Sequence, residues 1–416
     1  MKWQKIADLE LRKSTIELLN NISIDIENNV NIDKYTPTLY SGLSGMSLYY
    51  GYLSKVEGFE SYINNSRSLI EKSLELISEM KLDNSITEGY TGICWTIQHL
   101  VNKEIIEFDE CDEYLTDLDE IIFNETIVDL ENKHFDFLQG GIGSGIYFTE
   151  RYKSNDYVKV YLKEMIYKIA DLRTNNRSWQ SKVEKVGNVN NKRYIINEIE
   201  EYNFGLSHGI PSILSFLSIC NSLGIEKELT RNLIISNIDW IRKHERNSNN
   251  TTKFPTTIAI GHEDDLSPVN LGWCYGDLSL AKTFHNCGIV LNDKELISYS
   301  INLALNCSNR KEFNIVETAQ LCHGSSGIAH IFNHFYQHTK NERFRNITLL
   351  WYKEIFKKSI HDDTKCGIKN LRFDTDLNRI WLNEFGFLEG LSGIGLSLIA
   401  SISEVKPDWD RCLFLS

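Results

Sequence analysis

Seven short glycine segments, each running straight into an apolar stretch of helical period, constrain this chain more than any other feature. They are Ser41-Gly-Leu-Ser-Gly45, Glu88-Gly-Tyr-Thr-Gly92, Gln139-Gly-Gly-Ile-Gly143, His208-Gly-Ile-Pro-Ser212, Tyr275-Gly-Asp-Leu-Ser279, His323-Gly-Ser-Ser-Gly327 and Glu389-Gly-Leu-Ser-Gly393. Their first glycines lie 47, 51, 69, 67, 48 and 66 residues apart, room for two helices and their connections. Repetition at that period marks stacked hairpins that cannot bury their apolar faces singly. Val158, Leu162, Met165 and Ile169 keep one helical face between motifs, and Ile328, Ile331, Phe332 and Phe335 do so after one. The expected unit is an outer helix, a glycine turn and an inner helix. The glycines would supply positive φ and let backbones crowd. Seven units predict an all-α fold, with seven inner helices ringed by seven outer ones. An open solenoid capped at its ends is the alternative.

Composition agrees. Only five prolines occur where about 20 would be ordinary for 416 residues, which favours long uninterrupted helices. One toroidal unit over residues 1–416 is expected. Two polar stretches, near 175–202 and 245–270, break the rhythm and read as loop insertions over one face. A net charge of −13 without a basic face argues against a nucleic-acid partner. No apolar run reaches the ~18 residues of a membrane span, and the N-terminus lacks a secretory h-region. Nine cysteines without framework spacing then read as reduced thiols in a cytoplasm.

Three glycine copies open with reactive side chains: Ser207-His208-Gly209, Trp273-Cys274-Tyr275-Gly276 and Leu321-Cys322-His323-Gly324. At equivalent points of neighbouring repeats, Cys274, Cys322 and His323 would converge as a three-ligand set suited to zinc, with one coordination position open. Two thiolates cancel the charge of the ion, so such a centre suits thiol activation better than water activation. His208, one repeat earlier, would face the same cavity as a proton carrier. Asp136 could orient it or accept a proton, or could simply cap a turn. Tyr275 could donate a hydrogen bond to a developing oxyanion, or simply pack. The remaining cysteines read as small core residues. A glycosidase with paired carboxylates such as Glu88 and Glu389 is a remote alternative that leaves the cysteines unexplained. Gly141-Ile-Gly143-Ser-Gly145 lacks the spacing and context of a nucleotide loop.

These motifs and the seven-fold rhythm together resemble the LanC family of lanthionine cyclases, over essentially the whole chain. The resemblance implies an α/α toroid and a zinc ion held by Cys274, Cys322 and His323. It implies His208 and Asp136 as acid–base residues, with Tyr275 nearby. It also implies a free-standing cyclase that closes thioether rings on a dehydrated precursor peptide, working with a dehydratase and an exporter. Such an enzyme would be cytoplasmic and would meet the membrane only through those partners. A relative that adds glutathione or another small thiol, or a peptide-binding scaffold without catalysis, shares the pattern. One departure is Asn270, where many bacterial members carry an arginine.

Overall fold

The computed structural model describes residues 2–108, 111–174, 178–189, 192–246, 252–259, 269–310, 313 and 315–416, with only the backbone for 182–199. Outer and inner helices alternate along the chain. The first pairs are outer α1 (Leu9–Asn29) with inner α2 (Leu43–Leu53), and α3 (Ile63–Glu79) with α4 (Tyr90–Asn102). Then come α5 (Cys111–Glu131) with α6 (Gly141–Arg151), and α7 (Lys159–Asp171) with α8 (Ile210–Ser222). The last are α9 (Lys227–Arg242) with α10 (Asp277–Leu291), α11 (Lys294–Ser308) with α12 (Ser325–Thr339), and α13 (Glu342–Lys357) with α14 (Leu391–Ile402). Each inner helix packs on the next, and α14 packs on α2, which closes the ring and excludes the open solenoid. Every residue of α2, α6 and α14 is buried, whereas an outer helix such as α3 buries one stripe. That contrast is the pattern expected of helices covered on all sides against helices covered on one.

The first glycine of each motif is the residue immediately before an inner helix. The expected reason for those glycines needs correcting. Only Gly276 has a positive φ, +107°; the other six are extended. What forbids a side chain is crowding: a Cβ on Gly42 would fall 2.2 Å from the Thr36 carbonyl oxygen. The motif serines reach back across these same turns, Ser44 to the Pro37 carbonyl and Ser392 to that of Phe385.

Hydrogen bonds link turn to turn. Tyr40 N donates to Thr87 O, Thr87 Oγ1 to Leu138 O, Ser207 N to Cys274 O, Cys274 N to Cys322 O, Cys322 N to Leu388 O, and Phe387 N back to Tyr40 O. The orphan N–H groups of the helix starts bond within their own turns instead, as Leu43 N does to Thr36 O and Leu391 N to Glu384 O, so the links between turns hold the motifs together at one end of the ring.

The polar insertions are not plain loops. Residues from both form an antiparallel sheet of β1 (Ser181–Val189), β2 (Lys192–Asn203) and β3 (Thr257–Ala259), with Glu201, Tyr202 and Asn203 opposite Ala259, Ile258 and Thr257. Positions 175–177, 190–191, 247–251 and 260–268 of those stretches lie outside the described residues. A second hairpin, β4 (Asn370–Phe373) with β5 (Arg379–Leu382), precedes the last inner helix.

The C-terminal segment fills the middle of the ring as a 3₁₀ turn, Asp408–Leu413, with Trp409, Asp410 and Cys412 wholly buried. Trp273 Nε1 donates to Leu413 O, Tyr40 Oη to Cys412 O, and the Phe414 ring sits 4.6 Å from that of Phe137. The imidazoles of His330 and His334 on α12 point their Nε2 atoms at one Asp410 oxygen, 2.7 and 2.5 Å away. Burial would push the Asp410 carboxyl up, but the facing histidines hold it well below the usual carboxylate range.

Buried histidines make acid stability predictable. Burial, with the Lys282 ammonium adding to it, pushes His334 down to about 3 and His285 to about 2. The unfolded chain therefore binds protons that the folded chain refuses. Stability from this source is full above a pH of about 6.5 and falls by about 1.4 kcal/mol per unit for each group below it. Urea unfolding midpoints should drop progressively from pH 6.5 to 4.5, by a few kcal/mol in all. A flat profile across that window would mean that these histidines titrate normally.

Candidate metal centre

The turns before α10 and α12 lie against each other at the motif end of the ring. Trp273 N and Cys274 N both donate to the Cys322 carbonyl, at 2.8 and 3.3 Å. As a result the ligand atoms of Cys274, Cys322 and His323 all lie within 4.8 Å of one another. Cys322 is buried, Cys274 partly exposed and His323 exposed, so the cluster opens to one side.

The donors fit a soft divalent ion. A hydrogen bond from Cys322, helped by His323, outweighs burial and lowers Cys274 to about 5. The same bond and burial push the Cys322 thiol up. One proton is thus shared between two sulfurs, and displacing it frees two thiolates for a metal. The unpartnered buried Oε1 of Gln320, beside His323, is a further polar group waiting for a partner. A second cluster, His330, His334 and Asp410, is equally compact. Its donor atoms are already hydrogen-bonded to one another in the core, and His330 Nδ1 has no partner to orient it as a ligand. It reads as a structural tie.

The expected proton carrier is beside the cysteines. His208 Nδ1 is 2.6 Å from Asp136 Oδ2, while Asp136 Oδ1 accepts from Leu138 N and Gln139 N. Asp136 therefore caps its turn with one oxygen and holds His208 with the other. Burial pulls the imidazole pKa down, but the Asp136 carboxylate outweighs it and leaves His208 raised. Tyr275 lies with its ring centroid 6.3 Å from that of His208, and its hydroxyl accepts from Asn203 Nδ2 on β2. Burial raises its pKa, so it stays a phenol at neutral pH. Asp136, His208 and Tyr275 line a cleft with Gln139, Glu201 and Asn203, so the three-stranded sheet forms one wall.

Both carboxylates of the glycosidase alternative are engaged by other side chains. Glu88 accepts from Thr38 and Ser41, and Glu389 is bound to Arg372. Asn270 is exposed, and its carbonyl oxygen sits 2.5 Å from where a Gly276 Cβ would fall. Two neighbours of the centre escaped the sequence reading. Arg372, from β4, adds a positive charge felt by Cys322 and His323, and Gln320 has its Nε2 placed 2.6 Å from His323 Nε2. Gln320 was findable, three residues before a candidate ligand in the same turn. Arg372 belongs to a hairpin that no motif announced.

Nisin cyclase shares the fold, with a TM-score of 0.71 at 18% identity over 98% of both chains. A sugar epimerase from a ruminal bacterium, at 10% identity over 94% of this chain and 98% of its own, reaches a TM-score of only 0.45, too low to carry an argument. No curated protein sequence matches significantly. No helix among the described residues is long and apolar enough to cross a membrane. The profile of the family described as lanthionine synthetase C-like protein matches residues 33–414, and the chain belongs to that family.

Proposed function

We propose that this protein is a zinc-dependent lanthipeptide cyclase, acting in the cytoplasm on a precursor peptide that a dehydratase supplies and an exporter removes. The observation that carries the reading is two cysteines and a histidine converging beside an Asp136–His208 pair. When bound there, zinc would hold a peptide cysteine as thiolate at neutral pH. Cys274, Cys322 and His323 would hold the ion, and the two sulfurs would keep the centre neutral enough for the incoming sulfur to stay nucleophilic.

The rest falls to the chain's own side chains. The cleft holds the thiol and the dehydroalanine or dehydrobutyrine together, which removes most of the entropic barrier to addition. A C–S bond forms at the β-carbon, and negative charge moves onto the neighbouring amide oxygen. Tyr275 Oη is the neutral donor beside the cleft for that oxygen. Asp136 keeps His208 protonated at Nδ1, which presents Nε2 to substrate. That Nε2 delivers a proton to the α-carbon and is recharged by the proton the thiol releases, so the ring closes without change of mass.

His208→Ala should keep wild-type zinc and lose about 10²- to 10⁴-fold in ring formation. The test of the whole reading is incubation with a dehydrated cysteine-containing peptide, then alkylation of free thiols and mass spectrometry. Cyclisation appears as loss of alkylation at unchanged mass. Peptide cysteines that all remain alkylatable would refute it, and glutathione adducts formed instead in a parallel incubation with added glutathione would identify a small-thiol-adding relative.

A further inference from the structure

Gln320 is 1% exposed, and its carboxamide meets His323 end on, with amide Nε2 and imidazole Nε2 2.6 Å apart, while Oε1 has no partner. As placed, the amide N–H would donate to the Nε2 lone pair. Nδ1 would then carry the ring proton and could not offer a lone pair to a metal. The separation is short for N–H···N and closer to that of a carbonyl oxygen facing an N–H. Amide oxygen and nitrogen are interchangeable by a half-turn of χ3, and the hydrogen-bond network decides between them. Turned over, Oε1 gains the partner it lacks. Gln320 also lines a small pocket with Asn370, Glu384 and Glu389, side chains able to accept from an amide N–H.

We propose that Gln320 is a positioning residue of the metal centre: its carbonyl oxygen accepts from His323 Nε2–H and so fixes the tautomer that offers Nδ1 to the ion. This rests on the reading of Cys274, Cys322 and His323 as ligands. A metal-bound imidazole needs such an acceptor on its other nitrogen, which sets ring orientation and raises ligand basicity. Each of the other two ligands is fixed by backbone bonds between turns; His323, the exposed one, depends on this side chain.

The test is zinc affinity by competition with a chromophoric chelator, on the full-length protein. Gln320→Met fills the space without an acceptor and should weaken zinc by about 10- to 100-fold. Gln320→Glu supplies an acceptor again and should restore affinity to the wild-type level or above. A side chain needed only for packing predicts the reverse order, because a buried charge would then be the worse substitution. Gln320→Met with wild-type affinity overturns the proposal. Should Gln320→Met fail to fold, ¹⁵N-histidine NMR of the zinc-loaded wild type decides it, with the His323 signal identified by its absence in His323→Ala. A proton on Nε2 supports the assignment, and a proton on Nδ1 overturns it. Wild-type protein that takes up no zinc fails the ligand reading itself and this inference with it, an outcome distinct from zinc-binding protein indifferent to residue 320.

Discussion

Cys322→Ala is expected to lose zinc and ring formation together while keeping the fold. The side chain is small and lies at the edge of the core, so removing one sulfur leaves little cavity. The turn itself is held by backbone groups that the substitution leaves alone: Cys322 O accepts from Trp273 and Cys274, and Cys322 N donates to Leu388 O. What disappears is one of three donors at an open site, together with the partner that holds Cys274 toward thiolate. Two remaining ligands should not retain zinc through a desalting column. Cyclisation should fall to the uncatalysed background, since a free peptide thiol with a pKa of about 8.5 is mostly protonated at pH 7. Elemental analysis, the thiol-alkylation assay and a urea unfolding curve on the same preparation separate the outcomes. Full metal occupancy in a folded Cys322→Ala protein would end the assignment. Cys220→Ala is the matching control, because that thiol is fully buried with its pKa pushed up by burial, far from any metal role.

The ring was legible because its cause is sterically local. Each turn must pass within contact distance of its own preceding segment, as Gly42 does with Thr36, so no other residue fits and the glycines recur at every joint. The convergence of the three candidate ligand side chains was legible for a related reason, since equal positions in stacked repeats become neighbours in space. The backbone conformation behind the glycines was not. Six extended glycines and one at positive φ leave the same mark in a sequence. The sheet was missed because it joins two separate stretches, and the second contributes only β3, Thr257–Ala259. So short a strand has no period of its own and exists through its partner. Asp136 was read as orienting His208, accepting a proton or capping a turn, and the structure shows the contacts of the first and the last, one per oxygen. Gln320 shows a different limit: a residue type with no chemistry of its own becomes significant only through the ring nitrogen it faces.

Asp410→Ala should be strongly destabilising, costing about 3–5 kcal/mol. The carboxylate is wholly buried and reaches across to α12, where His330 and His334 both donate to its Oδ2. Alanine would leave two buried N–H donors without an acceptor, each costing about 1–3 kcal/mol, and a void where the carboxylate was. Water in the cavity that His334 lines can recover part of that donor's loss, whereas the Trp409 ring, stacked 4.7 Å from His330, covers the other. Asp410→Asn keeps one acceptor oxygen and should lose about half as much. Urea unfolding at pH 7 measures both, and an alanine variant within 1 kcal/mol of wild type would show that the tie is incidental. The consequence extends to the metal turn. The same C-terminal segment accepts the indole N–H of Trp273, the residue before Cys274, so the pin that seats the segment in the ring also braces the turn carrying a candidate ligand. Stability and site geometry are coupled through four residues of chain, Asp410 to Leu413, and a loosened segment should weaken zinc binding in proportion to the fold it loses.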